Sequence, residues 1–198
     1  MVRVGITMID MTTASARTAA VLRGVRDDQL DGPTPCSELS VREVVAHIGQ
    51  LAPAFGAAAA KDLGELTDSP PGLGGYLLDD GWRDHYPARL AAFAGAWQAP
   101  QAWTGMTRVG AVDLPGQVCG LVALTEVVVH GWDLAVATAQ AYPVDDATAA
   151  VLLEHLTAFT AGDPVEGLFG PPVTIGDDAD AFGRALALSG RDPEWRRV

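Results

Sequence analysis

Cysteine is nearly missing from this chain, with only Cys36 and Cys119 among its 198 residues. Two are too few for a disulfide framework in a chain able to bury its own core, so free thiols and a reducing cytoplasm are expected. Basic residues are also scarce: 13 Lys+Arg stand against 25 Asp+Glu, a formal net charge of −12. Scattered and outnumbered, they cannot neutralise a run of phosphates, which excludes nucleic acid as a partner and argues against an anionic membrane surface. No run reaches the roughly 18 consecutive apolar residues of a spanning helix, because Lys, Arg, Asp, Glu or Pro interrupts every candidate. A soluble protein with no membrane partner is therefore expected. The opening Met1-Val2-Arg3-Val4-Gly5-Ile6-Thr7 lacks the apolar core and cleavage site of a secretory signal, and Met8 offers a second start. Aromatic residues make up only 7%, yet 48% of the chain is hydrophobic and 19% charged, the balance of one globular domain rather than of a disordered or fibrous chain.

What is present reads mainly as helix. Thr12 and Thr13 are N-cap candidates for a first helix running to about Leu30, where Asp31-Gly32-Pro33 stops it. Ser40-Val41-Arg42-Glu43 reads as a capping box opening a second helix from Val41 to about Lys61, whose Val44, Val45, Ile48, Leu51 and Phe55 form a core-facing stripe. Residues 62–81, rich in Gly, Pro and Asp, read as a long surface loop of the kind that covers a site. A third helix is expected from Trp82 to Trp97. Residues 99–116 are too rich in Gly and Pro for a long helix, though Met106 to Val112 can lie extended. A fourth helix follows from Gln117 to Ala139, and a fifth, capped by Asp145 or Asp146, ends near Ala161. After Gly162-Asp163-Pro164 come a short strand at Val173 to Ile175 and a last helix over Ala179 to Leu188. The pattern is that of an all-α bundle over residues 8–162 with a short mixed C-terminal extension over 163–198 packed on it.

The fourth helix carries an unusual stripe. Residues four apart share one helix face, so Glu126 and His130 aim a carboxylate and an imidazole at one point. The same face holds Cys119, Val122, Asp133 and Ala137. A core-facing Glu needs a cation, a metal or a proton, because burying its charge alone costs several kcal/mol. His47 lies on the inward stripe of the second helix, and two histidines with one glutamate are a set that binds zinc while leaving a fourth position open. Spacing alone equally allows a hydrogen-bonded core His47 and a solvated Glu126. Asp133 reads either as an acceptor for the His130 ring and an acid/base group, or as a surface charge. His85 and His155 read as solvated or locally bonded, Cys119 as a buried small residue, and Cys36 as a packed turn thiol.

Thr34-Pro35-Cys36 followed by Val41-Arg42-Glu43-Val44-Val45-Ala46-His47, and later Glu126-Val127-Val128-Val129-His130-Gly131-Trp132-Asp133-Leu134-Ala135, resemble the two signature segments of actinobacterial DinB-like metal-binding proteins. These are similar to the N-terminal domain of mycothiol-dependent maleylpyruvate isomerase. The resemblance covers most of the chain from Met8, including the closing Leu188-Ser189-Gly190-Arg191-Asp192-Pro193. It implies a DinB-like four-helix bundle with one divalent metal, usually zinc, held by His47, Glu126 and His130, with Asp133 and Arg191 as the catalytic residues. Many relatives have His in place of Glu126 and Trp in place of Leu39, and the tail after the fourth helix looks too short for the isomerase's complete C-terminal domain.

Two functions follow from this reading. One is a cytoplasmic, metal-dependent transferase or isomerase that activates a low-molecular-weight thiol such as mycothiol toward an unidentified electrophile. The other is a non-catalytic metal-binding module with a sensing or structural role. A homodimer is compatible with either.

Overall fold

The computed structural model describes residues 8–70, 72, 75–161 and 169–197, so the reading of residues 1–7 and the Gly162-Asp163-Pro164 break lie outside the described residues. Helix α1 (Thr12–Gly24) begins where the Asp10 carboxylate accepts from the Thr12 amide at 2.8 Å. It stops six residues short of the expected Leu30. Val25 turns extended (φ −69°, ψ 126°), and Asp27–Gln29 forms a separate 3-10 turn. The cause is tertiary: the Gln140 amide donates to the carbonyl of Val21 at 3.0 Å, and the buried Gln29 amide reaches the carbonyl of Thr138 at 3.1 Å. A side chain from over a hundred residues away satisfies the orphan carbonyl that another helical turn would have used.

Helix α2 (Val41–Ala60) opens with the expected capping box. Ser40 N donates to Glu43 Oε2 at 2.8 Å, and the Ser40 hydroxyl accepts from Glu43 N at 3.4 Å. Lys61 closes it in the left-handed region (φ 60°). Among the described residues of 62–81 the chain is irregular apart from one helical turn, α3 (Glu65–Asp68). Helix α4 (Trp82–Ala96) follows as expected. Strands β1 (Met106–Val109) and β2 (Val112–Pro115) then pair antiparallel, Val109 opposite Val112. Gly110 and Ala111 join them with φ of 58° and 66°, the mirror-image turn whose twist suits a hairpin. Only an extended run was expected here, since four-residue strands carry too little alternation to reveal a pair.

Helix α5 (Gly116–Ala137) is long and apolar enough, by length and composition, to cross a membrane, contrary to the expectation that every candidate run is interrupted too often. Its most apolar window is 89% buried inside the fold, the mark of a core helix. Helix α6 (Asp146–Thr160) is capped by Asp145, and α7 (Ala181–Leu188) by Asp180. Val173–Ile175 forms no strand among the described residues. Val173 donates once, to the carbonyl of Ala187 at 2.9 Å, and finds no strand to pair with.

Helices α1 and α2 each pack on both α4 and α5, which closes a four-helix ring; α6 and α7 pack on one another outside it, with α6 touching α5. The fold is thus all-α and DinB-like, with its small hairpin at one end. Leu22, Val45, Ile48, Leu90, Phe93, Leu124, Val128 and Leu134 fill the ring, each at most 1% exposed. Each such side chain stabilises the fold by about 1.5–3 kcal/mol over its exposed state.

Candidate metal centre

Two helices build the centre. On α5, Glu126 and His130 stand one turn apart, and α2 lays His47 against both. His47 Nε2 lies 3.1 Å from Glu126 Oε2, and His130 Nε2 lies 3.4 Å from the same oxygen. The two imidazoles meet edge to face, with ring centroids 4.6 Å apart. One donor atom from each of the three residues falls within 4.8 Å of the other two. All three side chains are buried, so the solvated reading of Glu126 is excluded.

One glycine lets α1 approach this part of α5 closely. Thr18 of α1 donates to the carbonyl of Val127 at 3.1 Å and pairs with the Tyr142 hydroxyl at 2.7 Å. Both oxygens press on Gly131, where any Cβ would collide with them. Glycine beside His130 therefore lets α1 brace the turn of α5 that carries the histidine.

Behind His130 stands a charge relay anchored by the C-terminal segment. Asp133, fully buried, lies 3.1 Å from His130 Nδ1 through Oδ2 and accepts from Arg191 Nη2 at 3.1 Å and Nε at 3.4 Å. Arg191 Nη1 donates to the carbonyl of Ser189 at 2.8 Å. The surface-charge reading of Asp133 is thereby excluded, and the Asp133 carboxylate orients the imidazole ring.

Burial would push the Glu126 carboxyl up, but hydrogen bonds from His130 and His47 and their charge outweigh it and hold the carboxyl well below the ordinary carboxylate range. Burial likewise disfavours His130 as a cation, yet the Asp133 and Glu126 bonds raise it to about 9. His47 goes the other way: burial dominates over its bond to Glu126 and lowers it. In the metal-free protein the proton thus sits on His130, between two carboxylates.

The donor set fits a divalent cation. Glu126 Oε1 and His47 Nδ1 are buried with no hydrogen-bond partner among the described residues, and an anionic oxygen left in that state is costly unless a cation takes it up. Two imidazoles and a carboxylate suit a borderline ion such as zinc.

Other residues fall differently from their sequence reading. Cys36, half-buried, has its sulfur within 4.8 Å of donor atoms of both His130 and Asp133. Sequence distance hid this, because no histidine neighbours Cys36 along the chain. Burial pushes its thiol up, with Arg191 opposing. Tyr76, from the loop before α4, stands edge-on to His47 with centroids 5.3 Å apart, and its only sequence signal was its place in a loop expected to cover a site. Cys119 is fully buried and its thiol is pushed up to about 12 by burial, as suits a packed residue. His85 is exposed at the start of α4. His155 corrects the reading: it is buried, not solvated, with Nε2 unpartnered among the described residues and its ring near Phe159.

A model of the mycothiol maleylpyruvate isomerase N-terminal domain matches residues 11–135. Two uncharacterized proteins of Mycobacterium tuberculosis, one from strain CDC 1551 and one from strain H37Rv, are each 33% identical over 143 residues, 72% of this chain and 71% of theirs. The fold also matches the crystal structure of mycothiol-dependent maleylpyruvate isomerase with a TM-score of 0.65, at 17% identity over 92% of this chain and 87% of that one. A histidine-to-alanine variant of that enzyme matches with a TM-score of 0.60 at 16% identity. The superposition reaches further along the isomerase than the short tail after α5 led one to expect.

Proposed function

The chain belongs to the mycothiol maleylpyruvate isomerase N-terminal domain family, and from that premise we propose that it holds a divalent metal, zinc in the simplest case, through His47, Glu126 and His130, and activates a low-molecular-weight thiol such as mycothiol for transfer or isomerisation. One observation carries the reading: three buried donors from two helices converge within 4.8 Å, with a spare carboxylate oxygen among them. A cation bound there would supply the charge that favours thiolate over thiol at neutral pH. The protein's own residues do the rest. Glu126 offsets that charge, Asp133 fixes the His130 ring through Oδ2, and Arg191 holds Asp133 in place. Arg191 and Asp133 therefore act as positioning residues. The thiol is named from the family's isomerase; the electrophile is left unassigned. A bundle over 8–162, an extension over 163–198 that delivers Arg191, and a cytoplasmic setting belong to the same proposal.

A second reading draws on Cys36. Its thiol groups with His130 and Asp133, on the far side of the imidazole from His47 and Glu126; a non-catalytic, structural or sensing metal module would have this thiol, or another protein group, move in to close the fourth position. Elemental analysis of the purified protein, followed by thiol titration of the cobalt-substituted form, decides between them. The enzyme reading expects one metal per chain and a new sulfur-to-cobalt charge-transfer band on adding thiol. A band already present without thiol, unchanged by it and lost in Cys36→Ser, would establish the closed module instead.

A further inference from the structure

A cavity separate from the metal centre opens at the start of α4. Its volume is about 470 Å³; Leu30, Leu78 and Trp82 supply apolar wall, and Arg42, Arg83, Asp79 and Asp80 supply charge. That size lies within the range of small-molecule sites, roughly 300–1,000 Å³. None of the metal donors lines it. Arg42 and His47 stand five residues apart on α2, which sets them about 140° apart around the helix axis, so the two places use different faces of one helix.

The charges of this cavity are unevenly committed. Arg42 turns Nε and Nη2 to the Asp31 carboxylate, at 3.2 and 2.9 Å, while Nη1 has no partner among the described residues. Arg83 gives Nη2 to the carbonyl of Val25 at 3.0 Å and to Asp27 at 2.7 Å, and its Nε and Nη1 have no partner among the described residues. Its guanidinium carbon lies 4.2 Å from the centre of the Trp82 ring, a stacking that holds the group in place before any ligand arrives. Asp31 and Asp27 stand outside the cavity with side chains 87% and 86% exposed, so water weakens their hold on the two arginines. Asp79 accepts from Arg89 Nη2 at 2.7 Å, whereas Asp80 makes neither an ion pair nor a side-chain hydrogen bond among the described residues. The walls thus carry two guanidiniums with spare N–H groups and one uncommitted carboxylate.

We propose that this cavity binds a small zwitterion, an α-amino acid with an apolar side chain. Its carboxylate takes the spare N–H groups of Arg42 and Arg83, its ammonium faces Asp80, and its side chain lies against Leu30, Leu78 and Trp82. A lone anion would be opposed by Asp80, and a lone cation by two guanidiniums; a molecule with both charges on neighbouring atoms satisfies each. Planar guanidinium forks suit a carboxylate in particular. This site stands independently of the metal centre and of the function proposed there.

Saturation-transfer NMR titrations of the full-length protein compare three probes of one skeleton: leucine carries both charges, N-acetyl-leucine only the carboxylate, and isoamylamine only the ammonium. Leucine should bind about 5- to 10-fold more tightly than either of the others, the worth of one charge-assisted contact. Asp80→Asn should weaken leucine by a similar factor and leave N-acetyl-leucine unchanged, whereas Arg42→Gln should weaken both. Each substitution replaces a side chain outside the core, and melting temperatures should hold. Equal affinity for leucine and N-acetyl-leucine would mark a carboxylate site only and overturn the proposal. Leucine binding that neither variant alters would overturn it too, since an amino acid chelating the metal would behave so. No leucine signal at about 10 mM, well above the weakest useful affinity, would overturn it outright.

Discussion

The two halves of α5 are both buried, but by opposite means. In the first half Gly120 lies under aromatic rings: Trp97 and Trp103 meet at 5.0 Å between centroids, Trp103 Nε1 donates to the carbonyl of Trp97 at 2.7 Å, and both indoles press on Gly120. In the second half Glu126, His130 and Asp133 are buried too, yet they bond to one another, to His47 and to Arg191. The first half is held by area and shape. The second is a linked set of charges that still leaves Glu126 Oε1 without a partner among the described residues. The difference teaches where each half is vulnerable: volume in one, charge balance in the other.

The sharpest break removes a member of the charged set. His47→Ala or His130→Ala should abolish stoichiometric metal binding, since each deletes one of three donors; one tightly held metal per chain in either variant would show the ligand set to be wrong. Next, Asp133→Ala strands Arg191 and His130 without their shared carboxylate, and equilibrium urea unfolding should record a loss of about 3–5 kcal/mol. A loss below about 1 kcal/mol would mean the relay contributes little.

Gly120→Val probes the other half. It forces a branched side chain against the two indoles and should cost about 1–3 kcal/mol while leaving metal content at wild-type level. If metal were lost as well, the two halves would not be separable. A last effect concerns pH. His130 is raised from its ordinary 6.5 to about 9 in the metal-free fold, so its contribution to stability is complete below about 6.5 and is lost as pH rises through about 9. Metal-free protein should therefore lose stability steadily as pH rises across that window. Because a cation competes with that proton, metal uptake near pH 7.5 should release about one proton and flatten the slope. Thermal melts from pH 6.5 to 9, with and without metal, check both; identical slopes would deny that His130 holds the displaced proton.

Local chemistry was legible in the residues themselves. The Ser40–Glu43 box, the cap at Asp145, and the four-residue spacing of Glu126 and His130 all act within one or two helical turns, so their geometry follows from α-helix periodicity alone. The stripe on α5 could therefore be read, and His47 could be assigned to an inward face. That this inward face meets Glu126 was one of two readings the donor chemistry left open, which the resemblance then favoured; the part given to Arg191 rested on the resemblance alone. Only the tertiary structure decided what crosses between elements: Gln140 ending α1 at Gly24, Arg191 reaching Asp133 from 58 residues away, Cys36 arriving beside His130, and Tyr76 standing over His47. Such contacts depend on how helices pack and where loops return. Those are set by the summed burial of many side chains, which no short window of sequence contains.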